Sequence, residues 1–203
     1  MRNWFLISTL VMILMPFCLR ADRLVALGDS LTAGYGLDPQ QAWPALLEKQ
    51  LRQDGLDLEV ANAGLSGDTS AGGLRRLNWV LGEPADWMVI ALGANDALRG
   101  QPIEATRENL RKIIRRAREK YPQIRIVLAG MLAPPNMGEA YTEAFGRIYS
   151  ELAEEEEVLL YPFILEGVAA RPALNQADGI HPNAKGQEII AGHLAAFIRE
   201  NAD

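Results

Sequence analysis

The hydrophobic pattern of this chain alternates between two periods. Short apolar stretches lie at 24–27, 58–63, 87–92, 124–129 and 158–161, most of them closed by glycine. Stretches of that length bounded by turn residues predict strands. The one at 87–92 is apolar throughout, as a strand covered on both faces requires. Between the stretches the apolar positions recur at helical spacing. Leu46, Leu47 and Leu51 share one face, as do Leu74, Leu77 and Leu81. Leu110, Ile113, Ile114 and Ala117 make a stripe on a helix that Pro102 opens and that runs to about Lys120. Tyr141, Phe145 and Tyr149 form an aromatic stripe, expected as core with part of it free to line a pocket. Ile190, Leu194, Phe197 and Ile198 face the core from a last helix capped by Asn183.

Local signals refine the boundaries. Asp38-Pro39-Gln40-Gln41 reads as a helix start, with an Asp cap, Pro at the first position and Gln at the third. That helix is expected to run to about Gln53 and to stop at Gly55. Asp68 reads as a cap for the helix after the second strand. The basic run Arg111, Lys112, Arg115, Arg116, Arg118 and Lys120 reads as a solvated face. Strands and helices alternate along the chain, which predicts an α/β fold: a parallel sheet with helices on both faces.

This topology carries the chemistry. The polar clusters follow strands or occupy the last loop, so they converge on the carboxyl edge of the sheet, where open α/β sheets hold ligands. Ser30 sits where the first strand stops. A serine hydroxyl becomes a nucleophile only when a base takes its proton; otherwise Ser30 is a helix cap. His181 lies in a loop three residues after Asp178, within reach of its carboxylate. A bond from the ring Nδ1–H to that carboxylate fixes the tautomer and leaves Nε2 as a base. His193, with no acid beside it in sequence, reads as structural or superficial. Candidate oxyanion donors are the Ser30 and Gly67 backbone N–H groups and the Asn95 side-chain amide.

Composition narrows the reading. The 203 residues are enough for one domain with a sizeable core. A net charge of −6 argues against a nucleic-acid partner, which calls for a basic face. The amino terminus stands apart: Arg2 precedes an apolar stretch over 4–15, followed by Pro16 and then Leu19-Arg20-Ala21. This is the layout of an export signal, residues 1–21, with cleavage after Ala21 and a single domain at 22–203. The apolar stretch is short for a membrane span, so no membrane insertion of the mature protein is expected. Pro16 and Phe17 stand before Cys18 where a lipidation site has small residues. Cleavage takes away two arginines and no acid, moving the net charge to −8, and removes the only cysteine. Two histidines and no cysteine leave too few of the usual metal ligands, so neither metal nor cofactor is expected. The expected location is the periplasm or the medium.

Four segments in order, GDSLT at 28–32, SGDTS at 66–70, GAND at 93–96 and DGIHPN at 178–183, resemble the GDSL, or SGNH, hydrolase family. AWPALL at 42–47, LRG at 98–100, PPN at 134–136 and EAF at 143–145 resemble its bacterial multifunctional esterases, called thioesterase I, lysophospholipase L1 or arylesterase. The resemblance implies a three-layer flavodoxin-like fold of about five parallel strands. It implies Ser30 as nucleophile, His181 as base, Asp178 as its partner, and Ser30, Gly67 and Asn95 at the oxyanion. It further implies a small ester or lipid substrate: acyl or aryl esters, thioesters and lysophospholipids. Ala94 departs from the subgroup, which usually carries Gly there. The alternative inside the family is a carbohydrate O-acetylesterase, against which short loops and the absence of an aromatic sugar platform speak. A non-catalytic binding protein of the same fold is the alternative outside hydrolases. The Gly-x-Ser-x-Gly elbow of other esterases does not fit, because Thr32 stands where its second Gly belongs.

Overall fold

A computed structural model describes residues 22–202. In chain order the elements are β1 (Asp22–Gly28), α1 (Ser30–Ala33), α2 (Trp43–Gln53), β2 (Leu58–Gly64), α3 (Ser70–Val80), β3 (Trp87–Ala91), α4 (Ala94–Leu98), α5 (Ile103–Lys120), β4 (Arg125–Ala129), α6 (Glu139–Glu155), β5 (Leu159–Tyr161) and α7 (Ala184–Glu200). The expected leader at 1–21 and its cut after Ala21 lie outside the described residues.

The five strands form one parallel sheet in the order β2-β1-β3-β4-β5. Burial follows position in the sheet. Every residue of β3 is buried, whereas the edge strand β2 alternates between buried and exposed positions at its start. The chain crosses one way from β1 to β2 and the other way from β2 onwards. Right-handed crossovers therefore place α2 on one face and α3, α5 and α6 on the other. The packing agrees: α2 lies against α7, while α3 packs on α5 and α5 on α6. The switch in direction falls between β1 and β3, where a crevice opens at the carboxyl ends of the strands.

Two local expectations are corrected. The Asp38 capping box is present, but it closes a single 3₁₀ turn over Pro39–Gln41, and α2 begins only at Trp43 with Pro44 in its first turn. A 3₁₀ turn and an α-helix both start with N–H groups that a side-chain cap can satisfy, so the local signal is shared. Asp68 is not the cap of α3. Thr69 accepts the Gly72 N–H, and Asp68 instead pairs with Arg76 at 2.7 Å in a part-buried ion pair. The basic run on α5 is a solvated face as expected, with Lys112, Arg115, Arg116 and Lys120 exposed, and acids stand among its arginines. Arg107 and Arg111 pair with Glu155, Arg115 pairs with Glu156, and all three tie α5 to α6. The aromatic stripe is core: Phe145 and Tyr149 are buried, and the Tyr149 hydroxyl donates to the Leu92 carbonyl at 3.0 Å. His193 is exposed on α7.

One tie across the fold has no local sequence signal. Gln187 of α7 is fully buried; its Oε1 accepts the Trp43 N–H at 2.8 Å, and its Nε2 donates to the Leu31 carbonyl at 3.2 Å. It thereby joins α7 to α1 and α2 beside Ser30. No helix among the described residues is long and apolar enough to cross a membrane.

Candidate active site

Ser30 is the first residue of α1, directly after β1 and the Asp29 turn. The cap of α1 is Asp29, whose Oδ1 accepts the Leu31 N–H at 3.0 Å. The Ser30 hydroxyl is therefore not needed as a cap. It lies 2.9 Å from His181 Nε2. The ring Nδ1 lies 2.7 Å from Asp178 Oδ2. An ionised carboxylate only accepts, so the shared proton belongs to Nδ1; in the neutral ring Nε2 then carries the lone pair that the Ser30 O–H meets.

Asp178 does two jobs with its two oxygens. Oδ2 takes the ring, while Oδ1 accepts the Ile180 and His181 backbone N–H groups at 2.9 and 3.0 Å. The carboxylate thus folds its own loop around the histidine it orients. The His181 backbone amide, then its ring, then the Ile180 amide hold the Asp178 carboxyl down at about 2. Tyr35 covers the other side of the imidazole, with ring centroids 4.6 Å apart. Gln176 closes the loop: its Nε2 donates to the Tyr35 carbonyl at 2.6 Å, and its backbone N–H to the His181 carbonyl at 2.7 Å.

The three expected oxyanion donors line the same pocket. The Ser30 N–H is the first of its helix and so has no acceptor within it. Gly67 turns with φ +79°, a conformation that side chains resist. Asn95 stands in the first turn of α4, after Gly93 at φ +119°. A Cβ on Gly93 would fall 2.1 Å from the Tyr149 hydroxyl oxygen, so only glycine lets β3 turn into α4 here. One amide hydrogen of Asn95 goes to Asp29 Oδ2 at 3.1 Å, which fixes the orientation of the group. Asp29 is 1 % exposed, and burial raises its carboxyl to about 6 despite the Leu31 and Asn95 donors.

The pocket in front of Ser30 has a volume of about 670 Å³. Its walls are largely apolar and include Leu98, Met131, Leu132, Pro134, Phe163 and Leu165. Ala94 lines it too; the aromatic stripe of α6 does not. Asp178 stands behind His181, outside the lining. Among the described residues no three His, Cys, Asp or Glu side chains converge as a metal site. Asp29, Tyr35, Gln176 and Gln187 were not singled out by sequence reasoning. Only Asp29 carried a usable signal, an Asp directly before a helix start.

Residues 26–189 match the model of the GDSL-like Lipase/Acylhydrolase family. The chain belongs to this family. Among relatives, it is 45% identical over 184 residues to the "Esterase TesA" of Pseudomonas aeruginosa, covering 90% of each chain. It is 40% identical over 198 residues to the "Thioesterase 1/protease 1/lysophospholipase L1" of Escherichia coli, covering 97% of this chain and 93% of that protein. Among solved structures, the crystal structure of TesA superposes with a TM-score of 0.83 at 42% identity, over 88% of this chain and 99% of that one. The psychrotrophic esterase EstA from Pseudoalteromonas, inhibited by monoethylphosphonate, superposes with the same score of 0.83 at 31% identity, over 89% and 98%. The family's sheet and flanking helices are those described above, so the three-layer α/β expectation holds.

Proposed function

We propose that this protein is a serine esterase that hydrolyses carboxylic esters through an acyl-enzyme on Ser30. The reading rests on one observation: a continuous hydrogen-bonded chain from the Ser30 hydroxyl through His181 to Asp178, opening on an apolar pocket. His181 Nε2 takes the Ser30 proton as Oγ attacks the ester carbonyl. The imidazolium so formed is held by Asp178. The Ser30 and Gly67 N–H groups and the free hydrogen of the Asn95 amide stabilise the tetrahedral oxyanion. His181 then passes its proton to the leaving group; water, deprotonated by the same nitrogen, attacks the acyl carbon, and that proton returns to Ser30 Oγ as the acid leaves.

The apolar walls support substrates with aryl or acyl groups, and the names of the relatives support thioesters and lysophospholipids within that range. A carbohydrate O-acetylesterase is not favoured, because an acetyl group leaves most of such an apolar pocket empty. Residues 1–21 act as an export signal in this reading, leaving a mature domain at 22–203 in the periplasm or medium.

Labelling with a fluorophosphonate tests the nucleophile. The wild-type protein is expected to lose activity with one adduct on Ser30. Ser30→Ala is expected to lose turnover and labelling while keeping its melting temperature, because one oxygen leaves and β1 is untouched. Residual turnover of Ser30→Ala near the wild-type level overturns the assignment; unlabelled, inactive wild type favours a binding protein.

A further inference from the structure

The proposed oxyanion donors come from three separate turns, and their mutual placement needs a cause. Asp96, the residue after Asn95, does not face the pocket. It is 2 % exposed and turns inward, away from the reacting atoms. Its Oδ2 accepts the Ser70 N–H at 2.8 Å and its Oδ1 the Ser70 hydroxyl at 2.5 Å. The Thr106 hydroxyl also donates to Oδ1, at 3.3 Å, and the Asn109 amide donates to the Ser70 hydroxyl at 3.0 Å. Ser70 is the first residue of α3, and Gly67 lies three residues before it, in the turn closed by the Asp68 N–H on the Leu65 carbonyl. Asp96 therefore supplies an acceptor for the first amide of α3 from a different element, with its charge at the positive end of that helix.

A second tie runs in parallel. Arg99, at the other end of α4, donates from Nη2 to the Gly67 carbonyl at 2.8 Å. The short helix α4 thus carries Asn95 and grips the Gly67 turn at two points, Ser70 inside and Gly67 outside. Burying a carboxylate is costly unless its donors are matched, and an apolar side chain packs α4 without that cost. A directional, charged link adds a fixed register between the two turns.

We infer that Asp96 is a positioning residue: acting through Ser70, it sets the distance and orientation between the Gly67 N–H and the Asn95 amide at the oxyanion. This inference rests on the oxyanion reading proposed above. A displacement on the order of 1 Å in a catalytic donor lowers rate by up to about 100-fold. Loosening the latch reduces transition-state binding and leaves ground-state binding in place.

The test uses Asp96→Asn and the milder Ser70→Ala, with Asn95→Ala as reference. For each variant, kcat and KM on a soluble aryl ester are measured. So are the affinity for a trifluoromethyl ketone, which forms a tetrahedral adduct with serine, and the affinity for the amide analogue of the substrate. Near-UV circular dichroism gives the folded fraction. The expected result for Ser70→Ala is a 10- to 100-fold fall in kcat and a parallel loss of ketone affinity, with KM and amide-analogue affinity within about twofold. Ser70→Ala with a lowered melting temperature but unchanged kcat and ketone affinity per folded molecule sinks the latch, because Asp96 then only holds helices together. Asn95→Ala with unchanged kcat sinks the oxyanion reading, and the latch with it.

Discussion

On the oxyanion reading proposed above, Asn95 connects two roles. Its amide faces the site, and the same amide is the donor that a buried Asp29 depends on. Asn95→Ala is therefore expected to act on both counts. Loss of one oxyanion donor lowers kcat by about 10²–10³ with little change in KM. The stranded Asp29 oxygen costs about 1 kcal/mol of stability, or 2–4 °C in Tm for a protein of this size. Measuring kcat and melting on one preparation checks both; normal kcat with a lowered Tm removes Asn95 from the oxyanion. Asp29 has its own pH signature. Its carboxyl is at about 6 in the fold against an ordinary 3.8, so between these values the folded protein holds a proton that the unfolded chain has released. Its contribution to stability therefore falls as pH rises from about 4 to 6, by up to about 3 kcal/mol. Asp29→Asn is expected to lack this segment. The Tm difference between variant and wild type, followed from pH 4 to 7, grows in favour of the variant; a flat difference refutes the sign.

At the scale of elements, what matters is how helices are joined beside the site. Gln187 bonds to the first N–H of α2 and to a carbonyl of α1 from within a buried contact. Gln187→Ala leaves both groups without partners and creates a small cavity. The expected cost is about 2–3 kcal/mol, roughly a 5–10 °C fall in Tm. Because α1 carries Ser30 and α7 follows the His181 loop, kcat is expected to fall as well, while Ser30→Ala leaves Tm alone. Thermal melting and steady-state rates on the two variants separate these effects, and an unchanged Tm for Gln187→Ala shows that water replaces the amide. The α5–α6 clasp belongs to the same scale. Nothing local marks the pairing of its arginines, because their glutamate partners lie more than 40 positions further on.

For the molecule as a whole, the parallel sheet brings residues about 150 positions apart into one hydrogen-bonded chain. The proposed export signal makes its prediction at this scale. Exported protein is expected to begin at Asp22, the first residue of β1, and amino-terminal sequencing checks it. A mature protein that starts at a lipid-modified Cys18 overturns the cleavage site. The sequence by itself determined the order of the five strands and of the five longer helices, because burial on two faces demands continuous apolar stretches and amphipathic helices demand a period near 3.6. It also determined which polar residues stand at strand ends, and the pairing of Asp178 with His181, three residues apart on one loop. Only the tertiary structure decided what crosses between elements: Gln187 joining three helices, Asp68 spent on Arg76 and not on a cap, Asp29 holding Asn95, and Asp96 holding Ser70. Local signals report which groups seek a hydrogen bond. The partner each one finds depends on which elements the sheet lays side by side, and that is a property of the folded packing.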